Sequence, residues 1–298
     1  MTIVVDGKHP VRVALQRNGV DCISAQDARR QDIRPLRIGI LNIMPDAEKS
    51  EFNLLFPLGR SILQIVPVWI RLQSHTYTHA DKKHLDRYYV SYDQAVQQGA
   101  LDGLIVTGAP VEERPFEDVH YWEEIRGILG RVQREVCSTL GICWGGLALA
   151  RFIGIEKVNL NRKLFGLYET RNLKAGHPIT GGLDDCYWSP QSRHAGIPDP
   201  VLESAARRRK VRLLAHSGDA GYTIFETPDH RFVMHLGHHE YNAKRLVAEA
   251  ERDRKKKRKD IGPPRNFDLS NPVNCWRANR NEFFSAWIRY VYLDATYA

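Results

Sequence analysis

The stretch that decides the fold is Leu140-Gly-Ile-Cys-Trp-Gly-Gly146. Apolar and β-forming residues lead into Gly141-x-Cys143-x-Gly145, and a helical pattern follows at once from Leu147. A strand that turns sharply into a helix, with small residues beside the turning residue, lifts that side chain above the sheet. The helix N-terminus beneath it favours the thiolate over the thiol. The motif predicts a nucleophilic Cys143, and the alternative is a buried cysteine that acts as a small apolar residue.

Apolar segments on both sides of this motif alternate with helical patterns. We predict strands at 36–43, 63–70, 101–108 and 137–143, and helices at 48–56, 116–132 and 144–152. Further on we predict strands at 164–168, 212–215, 222–226 and 232–236, and helices at 242–254 and 281–292. This alternation predicts an α/β fold, a doubly wound and mostly parallel sheet flanked by helices, with ligands at the carboxyl ends of the strands. Residues 1–35 are predicted to form an N-terminal arm, and 36–298 a single α/β domain.

The composition indicates an ordinary globular protein. The chain has 298 residues, of which 43% are hydrophobic and 26% charged. No apolar stretch approaches the roughly 20 residues that span a bilayer, and the N-terminus lacks the pattern of a secretory signal. We therefore expect a cytoplasmic protein without a membrane partner. The five cysteines are scattered without any Cys-x-x-Cys pair, so neither disulfides nor a zinc site are predicted.

Two charged or polar stretches allow more than one interpretation. The net charge of +8 owes much to the run from Arg252 to Lys259. This run is predicted to be a solvated helix end and loop, with a phosphate-rich small ligand such as a nucleotide-bearing cofactor as the alternative. Nucleic acid is not the expected partner, because no aromatic residues alternate with the lysines. The segment 74–89 carries His75, His79 and His84, and is predicted to be a solvent loop rather than a metal site.

A nucleophilic cysteine needs a base within hydrogen-bond reach, and the base needs an acceptor that orients it. Gly237-His-His-Glu240 follows the last predicted strand. Residues i and i+2 of a strand face the same side, so we expect His238 to be the base and Glu240 its partner. The backbone N–H of Trp144 is the expected first donor to an oxyanion. A second donor is expected near Met44 or near Gly108-Ala109, and the sequence does not choose between them.

Several longer stretches occur in the order typical of one family, so the chain resembles the homoserine O-acyltransferases of methionine biosynthesis, which share the class I glutamine amidotransferase-like fold. The stretches are Asp32-Ile-Arg-Pro-Leu-Arg-Ile, Leu41-Asn-Ile-Met-Pro45, Asp102-Gly-Leu-Ile-Val-Thr-Gly-Ala-Pro110, Phe116-Glu-Asp-Val-x-Tyr-Trp122, Ser138-Thr-Leu-x-Ile-Cys-Trp144, Lys163-Leu-Phe-Gly-Leu-Tyr168, Ser189-Pro-x-Ser-Arg193, Gly237-His-x-Glu-Tyr241, Trp276-Arg277 and Trp287.

The resemblance implies a ping-pong transfer from acyl-CoA to homoserine. Cys143 would carry the acyl group, with His238 as base and Glu240 as its orienting partner. Three further positions match the family's substrate contacts, namely Lys163, Ser192 and Arg252. Acyl-CoA is then a co-substrate and no bound cofactor or metal is implied; the resemblance also implies a homodimer.

The residue two positions after Gly108-Ala-Pro is expected to select the acyl group. Here it is Glu112, which resembles the acetyl-CoA version of the family, whereas a small residue there would accept succinyl-CoA. A carboxylate in an acyl pocket fills space and repels the second carboxylate of a succinyl group. The alternative is a solvated loop glutamate beside Glu113.

Some residues depart from the family's pattern: Asp46-Ala47 replaces the usual lysines, Gly146-Leu147 replaces Ala-Gln, and His239 and the lysine-rich run are unusual. These departures leave the acceptor open between homoserine and serine or another hydroxy amino acid. Succinyl transfer within the family, and glutamine hydrolysis outside it, are the alternative reactions.

Overall fold

The structure is a computed structural model that describes residues 2–31 and 33–297. Met1, Asp32 and Ala298 lie outside the described residues, so the first position of the Asp32-Ile-Arg-Pro stretch is not placed. The strands are β1 Thr2–Val4, β2 Asp21–Ile23, β3 Leu36–Leu41, β4 Ile65–Ile70, β5 Tyr89–Val90, β6 Gly103–Val106, β7 Ser138–Ile142, β8 Val158–Asn172, β9 Cys186–Gly196, β10 Arg212–Ser217, β11 Gly221–Glu226 and β12 Phe232–His235.

The α-helices are α1 Val11–Arg17, α2 Ala25–Arg29, α3 Ala47–Leu58, α4 Lys82–Tyr88, α5 Tyr92–Gln97, α6 Trp122–Glu135, α7 Trp144–Phe152, α8 Asp199–Arg207, α9 Ala243–Lys256 and α10 Arg277–Tyr297. A short 3₁₀ turn, Phe116–Asp118, precedes α6. Among the described residues, none of these helices is long and apolar enough to cross a membrane.

Within the described residues, the strands form one sheet in the order β2-β1-β4-β3-β6-β7-β12-β11-β10-β8-β9, and β5 pairs with β4. Pairing is parallel from β2 across to β12, and antiparallel from β12 to β9. The predicted mostly parallel α/β sheet is confirmed. Because β3, β6 and β7 are parallel neighbours, the loops after them meet at one edge of the sheet.

Helices cover both faces of this sheet because its central strands are apolar on both sides. On one face, apolar residues of α6, α7 and α8 pack against Leu104 and Val106. On the other face, α1, α3 and α10 pack against Ile38 and Ile105. A smaller cluster around Trp276, Tyr241 and Phe165 lies beneath α9. This two-sided packing holds the strand ends that carry the site.

The first 35 residues, predicted as an arm, contain β1, α1, β2 and α2, and β1 pairs with both β2 and β4 at the edge of the sheet. Sequence reasoning did not identify the strand β9 or the helix α8. The prediction of a solvent loop at 74–89 was wrong over its second half. That half forms α4, and His84 is buried because its ring reaches Glu51 of α3.

Candidate active site

Cys143 occupies a strained turn between β7 and α7. Its φ is 52° and its ψ is −112°, a conformation that side chains rarely adopt. A Cβ on Gly145 would overlap the carbonyl oxygen of Val106, and one on Gly141 would lie 2.6 Å from the carbonyl carbon of Gly145. Glycine is therefore required on both sides of Cys143. This geometry is the nucleophile elbow that the sequence predicts.

The end of β12 brings a histidine to this elbow. The backbone N–H of Cys143 donates to the carbonyl of His235, 2.8 Å away, which ties the turn to β12. The N–H of His238 donates to the carbonyl of Pro190 on β9, also at 2.8 Å. The ring of His238 lies beside Cys143, whose charge acts on it, and its Nδ1 lies 2.7 Å from Oε1 of Glu240. The three predicted catalytic side chains are brought together.

The prediction that His238 and Glu240 lie on a strand was wrong. β12 ends at His235, so both residues lie in the turn that follows and not on a strand. The turn brings the two side chains together, and the ring of His238 stacks on Tyr241 with centroids 4.2 Å apart. The neighbouring His239 points away, and its ring contacts those of His235 and Phe283.

The charge state of His238 depends on its neighbours. Burial alone would lower the pKa of this imidazole, but Cys143 and Glu240 together hold its pKa well above the usual value. The geometry thus favours an imidazolium beside the sulfur. Sequence reasoning did not single out Arg193, a buried guanidinium near enough to Cys143 for the charge of that sulfur to act on it. Its nitrogens donate to Gln191 Oε1 and to the carbonyls of Ala195 and Ala220.

A cavity of about 430 Å³ opens above Cys143, and we refer to it as the catalytic cavity. Most of the predicted site residues line it: Cys143, His238, Lys163, Ser192, Arg252 and Glu112. Glu240 lies behind His238, and Trp144 is fully buried below the elbow. A pocket of this size accommodates part of a small-molecule substrate.

The three predicted substrate contacts converge on an acid that sequence reasoning missed. Ser192 Oγ donates to Glu249 Oε1 at 2.6 Å, and Arg252 Nη2 donates to the same oxygen at 2.6 Å. Lys163 Nζ lies 3.3 Å from it and also pairs with Asp253. The signal in the sequence was the spacing of Glu249 and Asp253, which places two carboxylates on one face of α9.

The charge state of Glu249 follows from the cations that it pairs with. Burial alone would raise the pKa of Glu249, but the charges of Lys163 and Arg252 hold it well below the usual value. Glu249 Oε2 is buried and has no hydrogen-bond partner within residues 2–31 and 33–297. The network therefore keeps an ionised carboxylate at the wall of the catalytic cavity with one oxygen unused.

The mouth of the catalytic cavity contains part of the basic run. Arg258 makes two hydrogen bonds to Glu113, at 2.6 and 2.8 Å, and two to Asp260, at 2.9 and 2.5 Å. Lys256 also lines the cavity. Glu112 lines it as well and, in the part of the chain that is described, its carboxylate forms no hydrogen bond or ion pair. Glu112 and its neighbour Glu113 therefore differ, because Glu113 is held by a guanidinium.

The backbone near Cys143 narrows the choice of oxyanion donors. Trp144 is the first residue of α7, where an N–H has no acceptor within the helix. The N–H of Met44 lies 3.2 Å from Asn42 Oδ1 and donates to it. Gly108 lies close to both Cys143 and His238, since a Cβ built on it would be 3.5 Å from Cys143 Cβ. The loop at Gly108-Ala109 is the better source of a second donor.

In the part of the chain that the structure describes, three groups of histidines and acids have ligand atoms near enough to surround a metal ion. In two of them these atoms already bond within the protein: Glu226 lies 2.8 Å from both His177 and His230, and Arg258 binds Glu113 and Asp260 beside His194. The third contains His9, Glu51 and His84, with Glu51 Oε1 2.7 Å from His84 and 2.9 Å from the hydroxyl of Tyr89. The absence of a metal stays a prediction.

Comparison with known sequences supports one family over the whole chain. The profile of a family described as homoserine O-succinyltransferase matches residues 2–297. The chain belongs to this family. A homoserine O-acetyltransferase of Bacillus thuringiensis subsp. konkukian is 35% identical over 100% of this chain and 99% of its own length. A homoserine O-acetyltransferase of Bacillus licheniformis is 36% identical over 97% and 96%.

Comparison with solved structures supports the fold. A glutamine amidotransferase from Thermotoga maritima has a TM-score of 0.53 and 14% identity, covering 87% of this chain and 99% of its own. A glutamine amidotransferase from Methylobacillus flagellatus has a TM-score of 0.52 and 14% identity, covering 87% and 96%. The class I glutamine amidotransferase-like fold is confirmed. At this identity the similarity concerns the fold alone.

Proposed function

We propose that this member of the family transfers an acetyl group from acetyl-CoA to the hydroxyl of L-homoserine. The observation that carries the proposal is the contact of Cys143 with His238 and Glu240 at the base of the catalytic cavity. The names of the full-length relatives support the acyl donor and the acceptor. The reaction proceeds in two halves through an acetylated cysteine.

In the first half the sulfur of Cys143 attacks the carbonyl carbon of acetyl-CoA, and the carbonyl oxygen becomes an oxyanion. The N–H groups of Trp144 and of the Gly108-Ala109 loop stabilise this charge. The bond from carbon to the sulfur of CoA breaks. The imidazolium of His238 gives its proton to that leaving sulfur, so CoA departs as a thiol and His238 becomes neutral.

In the second half the hydroxyl of homoserine enters, and neutral His238 accepts its proton. The oxygen attacks the thioester carbonyl, the bond from carbon to Cys143 breaks, and O-acetylhomoserine leaves. The resting pair of thiolate and imidazolium is restored. Glu240 Oε1 holds Nδ1 of His238 throughout, so Nε2 stays directed at the reacting atoms.

The network around Glu249 suits the amino-acid end of the acceptor. Glu249 lines the catalytic cavity, and its ionised carboxylate suits the ammonium group. Arg252 is half-exposed at the cavity and suits the carboxylate. Lys163 and Ser192 hold Glu249 in place, so their effect on the substrate passes through that carboxylate. Shortening the acceptor to serine would move its hydroxyl away from His238 by one methylene.

Glu112 supports acetyl over succinyl transfer. It lines the catalytic cavity and no cationic side chain among the described residues binds its carboxylate, so it repels the distal carboxylate of a succinyl group. Succinyl transfer remains the second candidate, and the observation that favours it is the name of the matching family.

The test is the mass added to Cys143 when the protein is mixed with each acyl-CoA in the absence of acceptor. We expect an acetyl adduct that disappears on addition of homoserine, and disappears more slowly with serine. A Cys143→Ala variant is the control and should gain no mass. If the succinyl adduct formed faster than the acetyl adduct, succinyl-CoA would replace acetyl-CoA as the proposed donor. If neither donor gave an adduct, the proposal would be contradicted.

Three features remain proposals for this chain. The resemblance to the family supports a homodimer, which sedimentation of the full chain would test. A cytoplasmic location fits acetyl-CoA as co-substrate. We also keep the interpretation of residues 36–298 as the domain that carries catalysis.

A further inference from the structure

A second cavity, of about 340 Å³, lies between α3, the turn after β12 and the start of α10. We call it the arginine cavity because three guanidinium groups line it: Arg60, Arg277 and Arg280. Its volume is in the range of small-molecule pockets. The catalytic residue Cys143 does not line it, and neither do Lys163, Ser192 and Arg252.

The positive charges of the arginine cavity are largely uncompensated. Within residues 2–31 and 33–297, none of the three arginines forms an ion pair with a carboxylate. Glu240 is the acid that lines the cavity, and its Oε1 is engaged by His238. Because Glu240 also balances the imidazolium of His238, its charge compensates the three guanidinium groups only in part. Of the three arginines Arg280 is buried, and burying an unpaired charge is costly, so this arrangement indicates a missing anion.

Arg280 provides the most specific observation. The residue is only 2% exposed, and Nε donates to Asn281 at 3.1 Å. Among the described residues its terminal nitrogens have no hydrogen-bond partner, although Arg280 lines the cavity. Burial, with Arg277 and Arg60 nearby, lowers the pKa of Arg280 to about 10. The site therefore holds a buried cation against repulsion from its own neighbours.

The arginines are held in place, as expected of a built site. The guanidinium carbon of Arg60 lies 4.8 Å from the ring centroid of Phe56, and that of Arg280 lies 4.7 Å from the same centroid. Arg60 also donates to the carbonyl of Asn18 at 2.8 Å. The ring of Phe56 thus holds the two guanidinium groups in the same wall of the arginine cavity. Arg277 is exposed at the first turn of α10, where backbone N–H groups also favour an anion.

We propose that the arginine cavity binds a phosphate group, either free or carried by a small molecule. Guanidinium forks match the oxygens of phosphate, and a dianion compensates more of the excess positive charge than a single carboxylate would. Because Glu240 lines the arginine cavity while its partner His238 lines the catalytic cavity, an occupant would lie beside the orienting acid. The phosphate could come from a metabolite or from the nucleotide end of an acyl-CoA.

The test is isothermal titration calorimetry on the full chain, with inorganic phosphate and with adenosine 3′,5′-bisphosphate as separate probes. We expect Arg277→Gln and Arg280→Gln each to weaken phosphate binding at least about tenfold, since each removes a charge-assisted contact. Arg289→Gln is the matched control, because Arg289 is an exposed arginine on the same helix outside the cavity. Circular dichroism checks folding, and the exposed Arg277 keeps the test valid if Arg280→Gln fails to fold.

The two sources are distinguished by competition with acetyl-CoA. Displacement of the bound bisphosphate by acetyl-CoA would assign the cavity to the donor, and binding of phosphate without competition would assign it to a separate metabolite. The inference is independent of the catalytic assignment, because Cys143→Ala should bind phosphate as the unmodified chain does. Failure of both probes to bind, or equal binding by Arg277→Gln and the unmodified chain, would overturn it.

Discussion

Two buried pairs of histidine and glutamate have the same distance between nitrogen and oxygen but different surroundings. His238 lies 2.7 Å from Glu240, and His84 lies 2.7 Å from Glu51. The first pair contacts a cysteine and faces a cavity, whereas the second is enclosed by His9, Tyr88 and Tyr89. A short bond between an imidazole and a carboxylate is thus no evidence of catalysis by itself. The proposed nucleophile Cys143 and the open catalytic cavity beside the first pair make the difference.

The largest expected effect is at the nucleophile that the first pair serves. Cys143→Ser should lower turnover by at least about 10³-fold, because a hydroxyl is a far poorer nucleophile beside an imidazolium. Steady-state rates with acetyl-CoA and homoserine measure this loss. Thermal unfolding should stay close to that of the unmodified chain, since serine keeps the shape of the turn. Near-normal turnover in Cys143→Ser would exclude covalent catalysis by this residue.

The next largest effect on turnover is expected when the glutamate is replaced by glutamine, and the same substitution is made in both pairs for comparison. Glu240→Gln should lower turnover by about 10²- to 10⁴-fold, because it removes the charge that orients and stabilises protonated His238. Glu51→Gln should leave turnover within about twofold and lower the free energy of unfolding by about 1–2 kcal/mol, through weakened bonds to His84 and Tyr89. The measurements are kcat and urea unfolding on both variants. Equal losses of turnover would mean that the two pairs do not differ as described.

Much of the geometry of the candidate active site could be predicted because its signals are local. The elbow at Cys143 depends on glycines two residues away on each side, so its turn was evident from the sequence. His238 and Glu240 are likewise two residues apart, and their pairing was found although they lie in a turn. The carboxylate Glu249 was missed because its partners Lys163 and Ser192 come from β8 and β9, far away in sequence.

The missed parts of the fold have the same physical cause. β9 contains Pro190, Gln191 and Arg193, and this polar pattern does not predict a buried strand. The strand forms by pairing with β8, and Arg193 is buried because its guanidinium is hydrogen-bonded. His84 was assigned to solvent because the surrounding segment is polar. Its burial depends on Glu51 and His9, whose proximity only the folded chain provides.

His9, which lies beside the enclosed pair of His84 and Glu51, predicts how the free energy of unfolding responds to pH. Burial, and next to it the charge of His84, lowers the pKa of His9 to about 4, against about 6.5 for an unfolded chain. The unfolded state therefore binds more protons between these values, so stability is full above pH 6.5 and falls as pH decreases toward 4. For His9 alone we expect a loss of about 2 kcal/mol from pH 7.5 to pH 5.

Urea unfolding of the unmodified chain and of His9→Gln at both pH values checks this expectation. His235, whose pKa burial lowers to about 3, acts in the same direction and remains in the variant. The variant should therefore lose less stability than the unmodified chain over the same interval. An equal loss in the two proteins would show that His9 is not protonated on unfolding in this range.

The smallest expected effect concerns Glu112, which lines the catalytic cavity and, among the described residues, has no histidine or guanidinium bound to its carboxylate. Glu112→Gly should raise kcat/KM for succinyl-CoA relative to acetyl-CoA by about 10-fold, because it removes both repulsion and bulk. Glu113→Gly is the matched control: the adjacent carboxylate is held by Arg258 at the mouth. Because Glu113 is already paired with a cation, its removal should change the ratio less. If both variants give the same ratio as the unmodified chain, the open carboxylate does not select the acyl group.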